Sequence, residues 1–279
     1  DQVVHPEPGL GHEPILSLPG VVQHTLGSLR REVAELRDLG VGAVILFGVP
    51  AQKDPEGSGA WDDDGIVQVA LRQLRDDVGD DMVLMADLCL DEYTSHGHCG
   101  VLDEHGQPDN DATIELYGQV AVAQATAGAA IVAPSGMMDG QVLAIREALD
   151  DAGFDDVAVM AYAAKYASAL YGPFRDAVDV TIEGGGDRKG YQQDYRNARE
   201  ALEEIRFDLS EGADLVMVKP ALSYLDIITR ARAEVDVPLA AYHVSGEYAM
   251  IKAAAERGWI DGDAVALKQI TAIKRAGAD

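Results

Sequence analysis

Residues 82–100 read Met82-Val83-Leu84-Met85-Ala86-Asp87-Leu88-Cys89-Leu90-Asp91-Glu92-Tyr93-Thr94-Ser95-His96-Gly97-His98-Cys99-Gly100, a short apolar run passing into a loop dense in ligand-type side chains. The run 82–86 predicts a buried strand, so Asp87 stands where a strand runs out into a loop. Both cysteines of the chain, two histidines and two further carboxylates follow closely. Soft thiolates beside imidazole and carboxylate suit Zn²⁺ better than Mg²⁺ or Ca²⁺. Cys89, Asp91 and Cys99 would give three ligands and leave a fourth position open, the catalytic kind of zinc site. The competing reading is a polar loop with two neighbouring thiols, because one Cys-x-Asp plus a third ligand is a weaker signature than paired Cys-x-x-Cys.

Outward from this strand, apolar runs alternate with amphipathic helical patterns. Strands are predicted over 2–6 (short and weak), 41–47, 82–86, 129–133, 157–161, 215–218 and 239–242. Helices are predicted over 26–39, 65–78, 110–127, 140–152, 197–211, 223–234, 246–257 and 263–275, with Asp139 as N-cap of the fourth. Parallel strands with right-handed crossovers follow. No Gly-x-Gly-x-x-Gly opens a helix after a strand, and no linker or repeat divides the chain. The expected fold is therefore α/β, a TIM (β/α)8 barrel forming a single domain over residues 1–279. Its eighth strand is missing from the sequence supplied.

With 279 residues, 47% of them hydrophobic, the chain is long enough to bury a large core, and no run approaches the roughly 18 apolar residues of a membrane helix. Two cysteines in one polar loop cannot build a disulfide framework, and a reducing cytoplasm is the simplest setting. The net charge is −26, from 48 acidic and 22 basic residues. Such a field repels nucleic acid and anionic membrane, so neither is an expected partner. The acid is spread along the chain, which points to a surface adapted to high salt.

In a βα barrel, chemistry sits at the C-terminal ends of strands. Those ends carry Asp87 and the ligand loop, Ser135, Tyr162 with Lys165, Lys219 before Pro220, and Tyr242, His243 and Ser245. Lys165 and Lys219 are two of only seven lysines, each in an apolar context. Desolvation, and each ammonium's effect on the other, would leave at least one amine neutral enough to attack a carbonyl. Arg175 and Arg188 suit carboxylates through the guanidinium fork. The glycine-rich, charged segment 184–191 has the composition of a mobile lid. His5, His12 and His24 lie outside the motifs and read as surface residues.

Asp-Leu-Cys-Leu-Asp-Glu-Tyr-Thr-Ser-His-Gly-His-Cys-Gly (87–100), Ala-Pro-Ser-Gly-Met-Met-Asp-Gly (133–140), Tyr-Gly-Pro-Phe-Arg-Asp-Ala (171–177), Met-Val-Lys-Pro (217–220) and Val-Ser-Gly-Glu-Tyr-Ala-Met (244–250) occur in this order. Together they resemble the porphobilinogen synthase (5-aminolevulinate dehydratase) family, from about residue 14 to 279. The resemblance implies a TIM-barrel lyase that condenses two 5-aminolevulinate molecules to porphobilinogen in tetrapyrrole and haem biosynthesis. Lys219 and Lys165 would each form a Schiff base with one substrate. Asp87 and Ser135 would contact the substrate amine and nearby polar atoms. Arg175, Arg188 and Gln192 would hold one carboxylate and Ser245 the other, with Tyr162, Tyr171 and Phe174 walling the pocket. Zinc on Cys89, Asp91 and Cys99 would polarise the second substrate, and Glu204 matches an allosteric Mg²⁺ position, although a solvated acidic helix face explains it equally well. The resemblance also implies a homo-octamer.

The chain departs from that pattern at several points. Zinc-dependent relatives usually carry three cysteines in the loop, and here the middle one is Asp91. A carboxylate makes the site harder, so Mg²⁺ or Mn²⁺ would compete with zinc. The family's N-terminal arm, eighth strand and carboxylate-binding tyrosine lie beyond the sequence supplied, which suggests further residues rather than a shortened enzyme. Two other readings are a class I aldolase-like barrel with one Schiff-base lysine and a degenerate barrel with a structural role.

Overall fold

The computed structural model describes residues 1–6, 11–182 and 187–279. In chain order the elements are β1 (Gln2–His5), β2 (His12–Pro14), β3 (Val22–Thr25), α1 (Leu26–Asp38), β4 (Ala43–Gly48), α2 (Ile66–Val78), β5 (Val83–Leu88) and α3 (Asn110–Thr126). There follow β6 (Ile131–Pro134), α4 (Gln141–Asp151), β7 (Ala158–Lys165), α5 (Gly172–Ala177), α6 (Ala198–Ser210), β8 (Leu215–Lys219), α7 (Leu225–Glu234), β9 (Leu239–Ala241), α8 (Ser245–Glu256) and α9 (Gly262–Ala276).

One sheet runs in the order β2-β3-β1-β4-β5-β6-β7-β8-β9. Every pairing is parallel except that of β2 with β3. Period-2 alternation sorts its side chains into two layers. Val3 of β1, Ile45 and Phe47 of β4, Ala133 of β6, Met160 and Tyr162 of β7 and Met217 of β8 form one buried cluster, with Met85 of β5 and Ala240 of β9 packed against it. Side chains from opposite ends of the sheet meet there only because the sheet curls into a barrel with a filled interior. Their neighbours Val44, Leu46, Leu84, Val132, Val159, Val216 and Val218 point outward into a second cluster with Leu29, Leu71, Tyr117, Ile145, Ile205 and Ile228 of the helices. Leu46 and Leu84 are fully buried there, each worth about 2 kcal/mol by area. Across the curled sheet the Tyr242 hydroxyl bonds the Asp1 carboxylate, and the Tyr248 hydroxyl donates to Pro19 O at 2.6 Å.

Side-chain caps fix several helix starts by satisfying free N–H groups. Thr25 accepts from Ser28 N, Asp109 from Ala112 N, Asn197 from Arg199 N and Asp261 from Ala264 N. Asp139 does not cap the fourth helix as expected. Gly140 holds the N-cap position at φ 76°, and the Gln141 side chain turns back to accept from Met138 N at 3.1 Å.

The seven expected strands and eight expected helices are all present, and β2, β3 and α5 are additional. β3 holds one aliphatic residue and buries Gln23, His24 and Thr25. His5 and His24 are accordingly buried, against the surface reading, while His12 is exposed. Burial, with His12, His5 and Arg31 adding to it, holds His24 down at about 4. Residues 184–186 of the expected lid lie outside the described residues.

Candidate active site

β7 and β8 end in register, Lys165 opposite Lys219. Strict alternation from the inward-facing Met160 and Tyr162 would turn Lys165 to the helix side. The pairing slips by one residue between Ala161 and Ala164, and both Ala163 and Ala164 sit in the outer cluster. This β-bulge restores Lys165 to the barrel mouth beside Lys219. Gln193 holds the bulge, its Nε2 donating to Ala163 O at 3.2 Å and its backbone N–H to Lys165 O at 3.1 Å.

Both lysines are 5% exposed. Lys165 Nζ donates to Ser135 O at 2.5 Å, and the Ser135 hydroxyl donates to Asp87 Oδ2 at 3.1 Å. Lys219 Nζ lies 4.2 Å from the Tyr242 ring centre, 5.1 Å from Tyr162, 5.2 Å from Phe174 and 5.4 Å from Tyr171. Burial first, and then the neighbouring Lys165 charge, lower the Lys219 ammonium to about 7 against the pull of Asp87, Asp91 and Glu92. Burial raises the Asp87 carboxyl to about 6, although Lys165, Lys219 and the Ser135 hydroxyl draw it down. The mouth thus holds an amine and a carboxyl that both change charge near neutrality.

Lys219, Tyr171, Phe174, Tyr242 and Ser245 line a cavity of about 220 Å³. Ser245 opens α8, its hydroxyl donating to Leu170 O at 3.3 Å. Arg188 and Gln192 line a separate cavity of about 540 Å³, which neither Lys165 nor Lys219 lines. Arg175 lies on α5, half-buried, lining neither cavity, and its Nε is buried without a hydrogen-bond partner.

The ligand loop brings together the three expected residues. Donor atoms of Cys89, Asp91 and Cys99 lie within 4.8 Å of one another, all buried. Burial opposes the Asp91 charge, but Arg188, then Lys165, overcome it and hold that carboxyl well below the usual range. Hydrogen bonding with Cys89 lowers the Cys99 thiol, while burial pushes the Cys89 thiol up. Two thiols and a carboxylate, buried and converging, fit a divalent cation with soft to borderline character. The loop histidines do not join them. His96 Nε2 contacts Pro55 O at 3.1 Å and its Nδ1 accepts from His98 N at 3.1 Å, while His98 Nδ1 meets the Tyr191 hydroxyl at 3.3 Å.

Two glycines make this packing possible. Gly97 has φ 73°, and a Cβ there would stand 2.5 Å from Thr181 O. A Cβ on Gly136 would overlap the Tyr117 hydroxyl, which donates to Cys99 O at 2.5 Å. Gly136 of the Ala-Pro-Ser-Gly motif therefore helps to seat the metal-type loop one strand away.

Arg188 does more than the sequence suggested. Its Nη2 lies 2.7 Å from Asp91 Oδ2 and donates to Gly97 O at 2.8 Å, so it is bound to the ligand loop. Other residues carried no role in the sequence reading. Tyr242 was noted at a strand end, yet its ring is the nearest to Lys219. Glu92 is 2% exposed, and burial together with Asp91 and Asp87 pushes its carboxyl well up. Glu247, 1% exposed, accepts from Leu222 N at 2.8 Å and Val244 N at 2.7 Å, tying the segment after Lys219 to the start of α8. Glu247 holds the Glu position of a capping box, but Val244 stands at the N-cap where a polar residue would complete the signal, so only half of it is legible in the sequence. Glu204 lies apart from Lys165 and Lys219, in a mainly acidic groove with Asp139, Asp187, Asp194, Glu200 and one lysine, Lys189.

Known proteins resemble this chain in sequence and fold. A family model described as Delta-aminolevulinic acid dehydratase matches residues 5–279. The chain is 60% identical over 268 residues to a delta-aminolevulinic acid dehydratase of Mycobacterium tuberculosis, covering 95% of this chain and 81% of the relative. It is 59% identical over 267 residues to that of Streptomyces coelicolor, covering 95% and 80%. A crystal structure of delta-aminolevulinic acid dehydratase (porphobilinogen synthase) from Toxoplasma gondii, in complex with the reaction product porphobilinogen, superposes with a TM-score of 0.97 at 45% identity, covering 99% of this chain and 79% of that one. With the family model matching nearly the whole chain and relatives at about 60% identity, the chain belongs to the delta-aminolevulinic acid dehydratase family.

Proposed function

We propose that this chain is a hydro-lyase that condenses two molecules of 5-aminolevulinate into the pyrrole porphobilinogen with loss of two waters, a step of porphyrin biosynthesis. The observation that carries the mechanism is the register of Lys165 with Lys219 across the bulge. A buried amine titrating at about 7 is in good part neutral at neutral pH, so the Lys219 Nζ lone pair attacks a substrate ketone. The carbinolamine loses water to give an iminium, and Lys165 forms the second one. Two electron sinks on adjacent strand ends fix the relative orientation of both substrates, which is a proximity contribution. A single-lysine aldolase would need the second amine only as a charge that lowers the first, whereas two substrates each need an amine of their own.

Asp87, joined to Ser135, takes and returns protons close to neutral pH and faces the substrate amine. Tyr162, Tyr171 and Phe174 exclude water around Lys219. Ser245 binds one carboxylate, while Arg188, Gln192 and Arg175 serve the other. Cys89, Asp91 and Cys99 would hold the divalent cation, zinc in the first place with Mg²⁺ or Mn²⁺ as competitors. The cation would supply Lewis-acid polarisation of a substrate oxygen.

Further properties extend the same reading. We read residues 1–279 as one barrel domain of a cytoplasmic homo-octamer, and Glu204 as an allosteric Mg²⁺ ligand. The acidic groove around Glu204 supports the last point, since burial and the charges of Asp139 and Glu200 raise its carboxyl. No helix among the described residues is long and apolar enough to cross a membrane. Purified protein supplied with 5-aminolevulinate and Zn²⁺ will form porphobilinogen. A metal-supplied, folded sample that forms none contradicts the assignment.

A further inference from the structure

The buried Asp91–Arg188 pair belongs to two sites at once. Asp91 is one of the three converging ligand-type residues, and its Oδ2 lies 2.7 Å from Arg188 Nη2. Both side chains are under a tenth exposed, at 4% and 8%. Arg188 is anchored further through Gly97 O, also in the ligand loop. Its Nε remains buried without a partner, as does Nε2 of Gln192, whose backbone N–H closes a turn onto Arg188 O. Both residues line the 540 Å³ cavity. Nη2 of the guanidinium is therefore committed to the ligand loop, while Nε beside it keeps a free N–H for a further acceptor.

We propose that the Asp91–Arg188 pair couples the cation site to the carboxylate site, so that a divalent cation and a substrate carboxylate each raise the affinity of the other. The proposal rests on the reading of Arg188 as a carboxylate-binding residue given above. A cation on Asp91 shares that carboxylate with Arg188 and is repelled by the buried guanidinium, since charges in a dry interior are weakly screened. A carboxylate on Arg188 Nε offsets that positive charge and, lying beside Nη2, competes with Asp91 for the guanidinium and loosens its hold. Conversely, a cation on Asp91 frees the guanidinium for the carboxylate. Thermodynamic linkage makes the two effects equal in size. The device depends on residue 91 being aspartate, because the guanidinium fork matches a planar carboxylate and not a single sulfur.

The experiment is a Zn²⁺ titration of the full chain against a chromophoric chelator, with and without saturating levulinate, a 4-oxo acid with the substrate's ketone and carboxylate. Levulinate will lower the Zn²⁺ dissociation constant by roughly fivefold or more. In Arg188→Met, Zn²⁺ will bind more tightly without the acid and lose the dependence on it. Asp91→Cys will bind Zn²⁺ with no such dependence. If calorimetry shows two levulinates bound, filling both carboxylate sites, and the Zn²⁺ constant unmoved, the coupling is overturned while the function stands. If coupling persists in Asp91→Cys or Arg188→Met, the pair is not its carrier. If levulinate does not bind at all, the substrate assignment falls and the coupling with it. Should Arg188→Met fail to fold, the wild-type and Asp91→Cys titrations decide the matter.

Discussion

Replacing Lys219 by Met should abolish turnover and at the same time stabilise the fold. The Lys219 ammonium is displaced from 10.5 to about 7, chiefly by burial. That shift of about 3.5 units corresponds to about 5 kcal/mol at 1.36 kcal/mol per unit. The aromatic cage works in the other direction, because a desolvated ammonium over a ring gains up to about 2 kcal/mol, and Tyr242 is close enough at 4.2 Å to supply it. The net penalty of the buried ammonium is therefore roughly 3–5 kcal/mol. Its pH window follows from the two pKa values. Above the unfolded value of 10.5 the amine is neutral in both states and the penalty is absent. It grows as pH falls from 10.5 to about 7, and below that the folded protein holds a buried ammonium at full cost. Met fills a similar volume with no charge to desolvate. Urea unfolding of wild type and Lys219→Met should separate them by roughly 3–5 kcal/mol near pH 6 and bring them together towards pH 10.5. A variant equal to or weaker than wild type near pH 6, or a difference flat with pH, would refute the reasoning. The cage would then be holding an ordinary ammonium, with no neutral nucleophile at neutral pH.

Gly136→Ala forces a methyl into the Tyr117 hydroxyl and should cost about 2 kcal/mol in urea unfolding, with weaker Zn²⁺ binding through Cys99. Gly42→Ala, whose Cβ meets nothing within 4 Å, is its near-neutral control. Glu247→Ala leaves the N–H groups of Leu222 and Val244 without their acceptor, a loss of about 2–3 kcal/mol in the same assay. With a net charge of −26, thermal unfolding should move to higher temperature from about 0.1 M to about 2 M KCl, as the screening length falls below about 3 Å. A flat or falling melting temperature would contradict a salt-adapted surface.

The strands and helices that pack against the sheet were legible because their apolar periodicity is strong. β3 was not, since burial of Gln23, His24 and Thr25 leaves no hydrophobic pattern to read. β2, three exposed residues including a proline, gives none either. At the site, strand ends pointed to Asp87, Ser135, Lys165 and Lys219, and metal-ligand chemistry to Cys89, Asp91 and Cys99. Register was not legible. Met160 to Lys165 read in strict alternation would put the lysine outside the barrel, and only the slip at Ala163 and Ala164 brings it in. Long-range partners were hidden for the same reason. Nothing local to Arg188 announces Asp91, and nothing local to Gly136 announces Tyr117. His96 and His98 carried ligand chemistry by type, and their backbone and tyrosine contacts are set by the turn at Gly97.

The account turns on an amine at Lys219 that forms a covalent bond with substrate. Full-length, Zn²⁺-supplied protein incubated with 5-aminolevulinate and borohydride, then digested and mapped by mass spectrometry, tests this directly. The expected result is a reduced adduct on Lys219, with a second on Lys165 as substrate is raised. A folded sample that carries no adduct on either lysine would contradict the Schiff-base mechanism.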